Sequence, residues 1–527
     1  MIIKAFKSTF FIFLAILSPF LSFTSKNFGE LYFYDFIYIS FYFLLAFITS
    51  FLIFFLIKKL IKKKIDNLYL IFCYLILIFF NYHIIFTLLS SINIISFINI
   101  RILSHLFWLI IFLGFIIYSV KIIKSVFFVT FSIYFLIFIN LISSTSILYQ
   151  FITISNEKKE TVLNDFEFSI PNLKKEKLKN VYYVVFDQYS RNDVYKKFYN
   201  FDNSYFLNEI KENNFKVIEN SATNVTYTPL VMTYVFSMEL DEIKKYLLKN
   251  STYELGAWKI GNSKVQKIFK LAGYKLFISL ENTVHGTPCG RLNLKKINID
   301  KCISQKVKLA ELEFNLLKLT PVFDILGKFF PNFFTYHILY PDYVAKQLHS
   351  VIPKDEKIFH YMHFYMPHPP PKFNENCRKE LQILDFEGWG ATDKYLSVDA
   401  IKHIKQDVKC VNKQILKLIQ TIEKYDPDSI VVIQSDGSNV FYEFPFTHYN
   451  LNLWKLPKNC KSMISNNFTN VNTFRLIFNC LGIGNWEFEK NEIIDSRNNY
   501  PTKSEDPYET KFYDLLDEEL KMLEKKF

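Results

Sequence analysis

Apolar residues crowd into the first 150 positions of this 527-residue chain, and no other feature restricts its fold as strongly. A segment needs roughly 20 apolar residues to cross the hydrocarbon core of a bilayer. Five stretches reach that length, at 6–23, 32–57, 68–90, 102–120 and 125–143. The first has too long an apolar run for a signal-peptide core, and no small-x-small cleavage site follows it, so it reads as a retained helix. The remainder of the chain has the mixed charge of a water-exposed protein. The sequence therefore predicts a transmembrane domain of about five helices over 1–145, a linker over 146–178, an α/β domain over 179–490 and a charged C-terminal tail over 491–527.

Orientation follows from the basic residues. Lys4 and Lys7 precede the first span, Lys58, Lys59, Lys62, Lys63 and Lys64 separate the second from the third, and Lys121 and Lys124 separate the fourth from the fifth. The alternate loops hold only Lys26 and Arg101. The excess of lysine marks the cytoplasmic side, and five spans then place the large domain outside, on the periplasmic side of a bacterial inner membrane. The net charge of +12 comes from these loops and from scattered lysines, which argues against a nucleic-acid groove. Cys73 lies in a span, while Cys289, Cys302, Cys377, Cys410, Cys460 and Cys480 lie beyond the spans. An even number there suits up to three disulfides in an oxidising compartment, with Cys289–Cys302 and Cys377–Cys410 as local pairs. No pair has the CxxC spacing of a zinc cluster.

After residue 178 short β-rich runs alternate with helical stretches, the pattern of a mostly parallel sheet sandwiched by helices. Strands are predicted at Asn180–Phe186, Phe215–Glu219, Tyr274–Ile278, Lys357–His363 and Ser429–Gln434, and a long amphipathic helix at 395–424. In such sheets ligands gather at the carboxyl ends of the strands. Three ends carry chemistry: Asp187 after the first, Met366-Pro-His368-Pro-Pro-Pro after the middle one, and Ser435-Asp436-Gly437 after the last. The hydroxyl-rich loop 220–230, holding Thr226 and Thr228 ahead of a helix, is the fourth element. Read by themselves, Asp187 is also a plausible turn cap and Thr228 a plausible helix N-cap. His360 and His363 read as packing residues of a strand, and His83 and His105, isolated within spans, carry no expected role.

The order and spacing of these elements resemble the membrane-anchored branch of the alkaline phosphatase and sulfatase superfamily, which includes phosphoethanolamine and phosphoglycerol transferases. Residues 180–187 resemble its opening strand, 219–240 its nucleophile segment, 357–371 its histidine-proline segment, 430–437 its last metal-bearing strand end, and Val471-Asn-Thr-Phe-Arg475 a further segment of sulfatase-like membrane proteins. The resemblance implies a divalent metal (Zn²⁺, Mn²⁺ or Mg²⁺) held by Asp187 and Asp436 with Thr228. It also implies that Thr228 is the nucleophile, with Thr226 as fallback, and that His368 contacts the phosphate or the leaving group. His448 and Asn439 become further candidates for substrate contact or for completing the metal site. The implied substrate is a membrane lipid or a lipid-linked glycan. Two departures stand out: the usual histidine after the last aspartate is Gly437, and the second acid after Asp187 is Gln188. The Cys/Ser-x-Pro-x-Arg signature of true sulfatases is missing. The alternative expectation is therefore a catalytically degenerate membrane scaffold or glycan-binding protein that keeps the fold.

Overall fold

The computed structural model describes the chain apart from residues 1, 29–30, 32, 62–66, 92–99, 123–124, 158–174, 240–262, 281–297, 305–310, 330–338, 353–354, 370, 372, 379–397, 441–442, 496–510, 516–517 and 527, and the statements that follow concern the described residues. It divides into two compact units, Met1–Asp165 with Lys308–Tyr336 and Phe166–Val307 with His337–Phe527.

The first unit is helical. Ser8–Lys26, Asp35–Leu60 and Val126–Ile152 are long and apolar enough to cross a membrane. Leu68–Phe80 and Tyr82–Leu89, bent by 47° at their junction, make a fourth span if taken together. The break falls at Asn81, whose backbone N–H and side-chain amide both donate to the Leu77 carbonyl, at 3.1 and 2.7 Å. The helix Ile100–Ile122 holds a shorter apolar stretch, Leu103–Ser119. Three to four membrane spans are thus supported where the hydropathy pattern predicts five. The last helix runs on from Val126 to Glu157, past the predicted end at 143. Residues 158–174 of the predicted linker lie outside the described residues.

Two short helices from much later in the chain, Glu311–Lys318 and Val322–Phe329, belong to this same unit. Leu312 and Leu316 are buried in its apolar cluster. The Tyr42 hydroxyl donates to Glu313 at 2.9 Å. The Tyr82 hydroxyl donates to Asp324 at 3.0 Å and meets His105 Nδ1 at 2.9 Å, while His105 Nε2 lies 3.7 Å from Asp324. His105 is isolated only along the sequence; the return of a distant segment supplies it with polar partners.

The second unit is built on β1 (Val181–Phe186), β2 (Lys216–Val217), β3 (Asn220–Ala222), β4 (Lys275–Leu280), β5 (Lys301–Cys302), β6 (Ile358–Phe364), β7 (Ile430–Gln434), β8 (Asn452–Lys455) and β9 (Asn467–Thr469). Seven of these form one sheet in the order β2-β8-β7-β1-β6-β4-β5, and β3 pairs separately with β9. β7, β1, β6, β4 and β5 run parallel, and β8 is antiparallel to both of its neighbours. β1, β6 and β7 are buried at every position, which accounts for their near-continuous runs of β-branched and aromatic residues. One face of the sheet packs an aromatic core of Tyr183, Tyr361, Phe236, Phe269, Phe359 and Phe474. The long amphipathic helix spans Val398–Tyr425.

Disulfides join Cys377 to Cys410 and Cys460 to Cys480. Cys302 is also disulfide-bonded, and Cys289, its expected partner, lies outside the described residues. Cys73 is a buried free thiol.

His360 is the packing histidine of β6. It is fully buried, with Nε2 2.8 Å from Ser279 Oγ, and burial depresses its pKa to about 3. A histidine protonated more readily unfolded than folded stabilises the fold above its ordinary pKa of 6.5, and that contribution is lost as pH falls towards 3. Unfolding free energies measured across this window are expected to fall by up to about 1.4 kcal/mol per pH unit from this group. The His360→Gln variant should lack that slope.

Candidate active site

The centre of the site comes from three adjacent parallel strands. β1 lies between β6 and β7, so the residues leaving their carboxyl ends converge. Asp187 follows β1, and its backbone N–H continues the ladder by donating to the Phe364 carbonyl at 2.9 Å. His363 is the penultimate residue of β6, opposite Val185 in the register. Asp436 stands two residues beyond β7. Ligand atoms of Asp187, His363 and Asp436 all lie within 4.8 Å of one another, and all three residues are buried.

Local backbone geometry holds this arrangement. Gln188 adopts a left-handed φ of 57°, which turns the chain so that its N–H donates to Asp436 Oδ1 at 2.9 Å. The Tyr189 N–H donates to Ser435 Oγ at 2.7 Å. On the other side, Thr228 opens the helix Thr228–Ser237, with Pro229 in the first turn where its missing N–H costs nothing. Tyr227 precedes it at φ 85° and ψ 111°, a conformation that costs of order 1–3 kcal/mol and is typically stored at functional sites. Thr228 lies beside Asp436, where its hydroxyl favours the ionised carboxylate.

Burial pushes the Asp436 carboxyl above the ordinary carboxylate range, against hydrogen bonds from Thr228, from the Gln188 amide and with Asp187 that pull it down. Asp436 Oδ2 is buried with no hydrogen-bond partner, and His363 Nε2 lies 3.7 Å from it. Two neighbouring buried carboxylates repel one another when both are ionised, and a cation relieves that repulsion. Two carboxylates, an imidazole and a hydroxyl are a donor set suited to Zn²⁺ or Mn²⁺. The residues present therefore fit a divalent metal.

Asp187 and Asp436 are brought together with Thr228 beside Asp436, and neither His368 nor His448 belongs to the Asp187–His363–Asp436 ligand group. His368, half-buried, has Nδ1 2.5 Å from the Pro369 carbonyl and stacks on Tyr365 at 4.3 Å. His448 is buried with Nδ1 2.9 Å from the Thr223 carbonyl, and its own carbonyl accepts from the Thr223 N–H, so it braces the loop leading to Thr228. Asn439 exchanges hydrogen bonds with Ser190, keeping a buried Nδ2 without a partner. Thr226 is half-buried in the turn before Tyr227. The residue that sequence reasoning missed is His363. Its signal was its place one residue from a strand's carboxyl end, with parity opposite to that of His360.

The chain matches no family model and no curated protein sequence. Among solved structures it is similar to the C-terminal periplasmic domain of EcEptC from Escherichia coli in complex with Zn, at 13% identity and a TM-score of 0.43, covering 66% of this chain and 97% of that one. It is similar to the lipoteichoic acid synthase LtaP from Listeria monocytogenes at 13% identity and a TM-score of 0.36, covering 62% and 77%. The C-terminal periplasmic domain of the phosphoethanolamine transferase EptC from Campylobacter jejuni matches at 12% identity and a TM-score of 0.35, covering 63% and 96%.

Proposed function

We propose that the protein is a membrane-anchored, metal-dependent transferase or hydrolase that acts through Thr228 on phosphoesters, ahead of sulfate esters, of envelope lipids or glycans. One observation carries this reading: the Thr228 hydroxyl lies beside Asp436 at the edge of a buried Asp–His–Asp set. Asp187, His363, Asp436 and the Thr228 oxygen are the groups to hold the metal. When bound, the metal lowers the pKa of the nucleophilic hydroxyl and neutralises charge on the transferring group.

The remaining work falls to the chain. Asp436, beside the Thr228 hydroxyl, is the group to accept its hydrogen bond and aim an oxygen lone pair outward. As Thr228 Oγ1 bonds to phosphorus, its proton leaves towards the carboxylate pair and the bond from phosphorus to the headgroup oxygen breaks. With His368 Nδ1 against a carbonyl, Nε2 is the atom to protonate the leaving oxygen. A sugar hydroxyl or water then takes the phosphoryl group and restores the Thr228 hydroxyl. Placement outside the cytoplasmic membrane is supported by the disulfides of the second unit, and by the lysine bias where the number of spans is odd.

Metal analysis of the purified full-length protein tests the reading against the scaffold alternative. One equivalent of zinc or manganese is expected, together with hydrolysis of phosphoester model substrates. A metal-free protein inert towards phosphoesters and sulfate esters would leave the scaffold standing.

A further inference from the structure

Resting on the proposed metal site, we propose that Tyr361 is a positioning residue that sets which nitrogen of His363 faces the two aspartates. Tyr361 and His363 are two apart on β6, so their side chains emerge on the same face of the sheet. The Tyr361 hydroxyl lies 2.8 Å from His363 Nδ1, and both residues are buried. Around the phenol are Tyr183, stacked at 5.9 Å, and Phe236, edge-on at 5.0 Å. The contact with His363 is the one hydrogen bond this hydroxyl makes among the described residues. The Tyr361 hydroxyl is thus set in an aromatic wall beside one imidazole nitrogen.

The chemistry of that contact is two-sided. A phenol hydroxyl both donates and accepts. With Nδ1–H, His363 donates to the Tyr361 oxygen and turns the Nε2 lone pair towards Asp187 and Asp436, the form a metal requires. With Nε2–H, the Tyr361 hydroxyl donates to Nδ1 instead, and Nε2–H points towards Asp436 Oδ2, 3.7 Å away. Tyr361 therefore satisfies Nδ1 in both tautomers, so the imidazole can present Nε2 as a metal ligand without leaving Nδ1 unpaired. A phenylalanine at this position preserves the aromatic packing and removes only this capacity.

The test compares wild type and Tyr361→Phe as full-length proteins in detergent, titrated with Zn²⁺ and Co²⁺ and read by equilibrium dialysis and by the Co²⁺ visible spectrum. The variant is expected to melt within a few degrees of the wild type when metal-free. It should bind metal about 10- to 100-fold more weakly, with an altered Co²⁺ spectrum. A metal-loaded minus metal-free Raman difference spectrum of the wild type should report an Nε2-bound, Nδ1-protonated imidazole, and it decides the matter even if the variant fails to accumulate. Equal affinity and an unchanged spectrum in Tyr361→Phe, or an Nδ1-bound imidazole in the wild type, would overturn the inference alone. A wild type that binds neither metal overturns the metal reading beneath it.

Discussion

Replacing Thr228 with alanine is expected to lower phosphoester turnover by about ten-thousand-fold while leaving the protein folded. Removing a nucleophile from a preorganised site typically costs this much or more, because the remaining groups position a substrate that nothing attacks. The structural cost is small by comparison. Thr228 is half-buried, its helix keeps Pro229 in the first turn, and the Asp436 carboxylate beside it keeps the Gln188 N–H as a donor. Thr228→Ser keeps the hydroxyl and should retain most of the turnover. The mechanism has a second readout in mass spectrometry of wild type quenched during turnover, where the peptide containing Thr228 should carry the transferred group. Full activity in Thr228→Ala, with Thr228 unmodified in the wild type, would remove Thr228 from the mechanism and direct attention to Thr226.

Asp436→Asn should weaken metal binding by about 100-fold or more and yet not destabilise the metal-free protein at neutral pH. Asparagine retains an oxygen to accept from the Gln188 N–H, but it cannot supply the second buried charge beside Asp187. The sign of the pH effect follows from the raised pKa of the Asp436 carboxyl. A carboxyl that binds its proton more tightly folded than unfolded contributes stability below its ordinary pKa of 3.8, and that contribution disappears as pH rises through the raised value. Metal-free wild type should therefore lose stability relative to metal-free Asp436→Asn as pH rises from 4 towards 7. The slope should approach about 1.4 kcal/mol per pH unit where the group titrates. Saturating metal should reverse the order, because binding to the folded state alone stabilises it. Melts in chelator and in excess metal across this range provide the comparison. A variant less stable than the wild type in chelator at pH 7 would contradict the picture of two carboxylates held together at a cost.

Much of the scaffold was legible before any coordinates. β1, β6 and β7 were visible as runs of β-branched and aromatic residues, and the Val398–Tyr425 helix as an apolar stripe at helical spacing, because burial on two faces or on one stripe leaves a local pattern. Strand-end chemistry was equally accessible, since a polar residue closing an apolar run is a local feature; that is how Asp187 and Asp436 were singled out. The membrane count was less secure. Hydropathy averages over a window and is blind to the bend at Asn81 that divides one apolar run into two helices.

What the sequence determined by itself is therefore local: which segments are apolar enough for a membrane, which runs are strands, and which oxygen ligands stand at strand ends. Only the tertiary structure decided which histidine joins them. His360 and His363 are three residues apart on one strand and look alike as sequence, but the period of two sends them to opposite faces. One meets Ser279; the other meets Tyr361 and the aspartates. That choice depends on β1 pairing with β6 on one side and β7 on the other, in a register set by contacts between segments far apart along the chain. The same long-range folding that gives His105 its partners in the helical unit gives His363 its place in the second. Pairing across such separations is specified by how whole faces pack, and no short window of sequence records it.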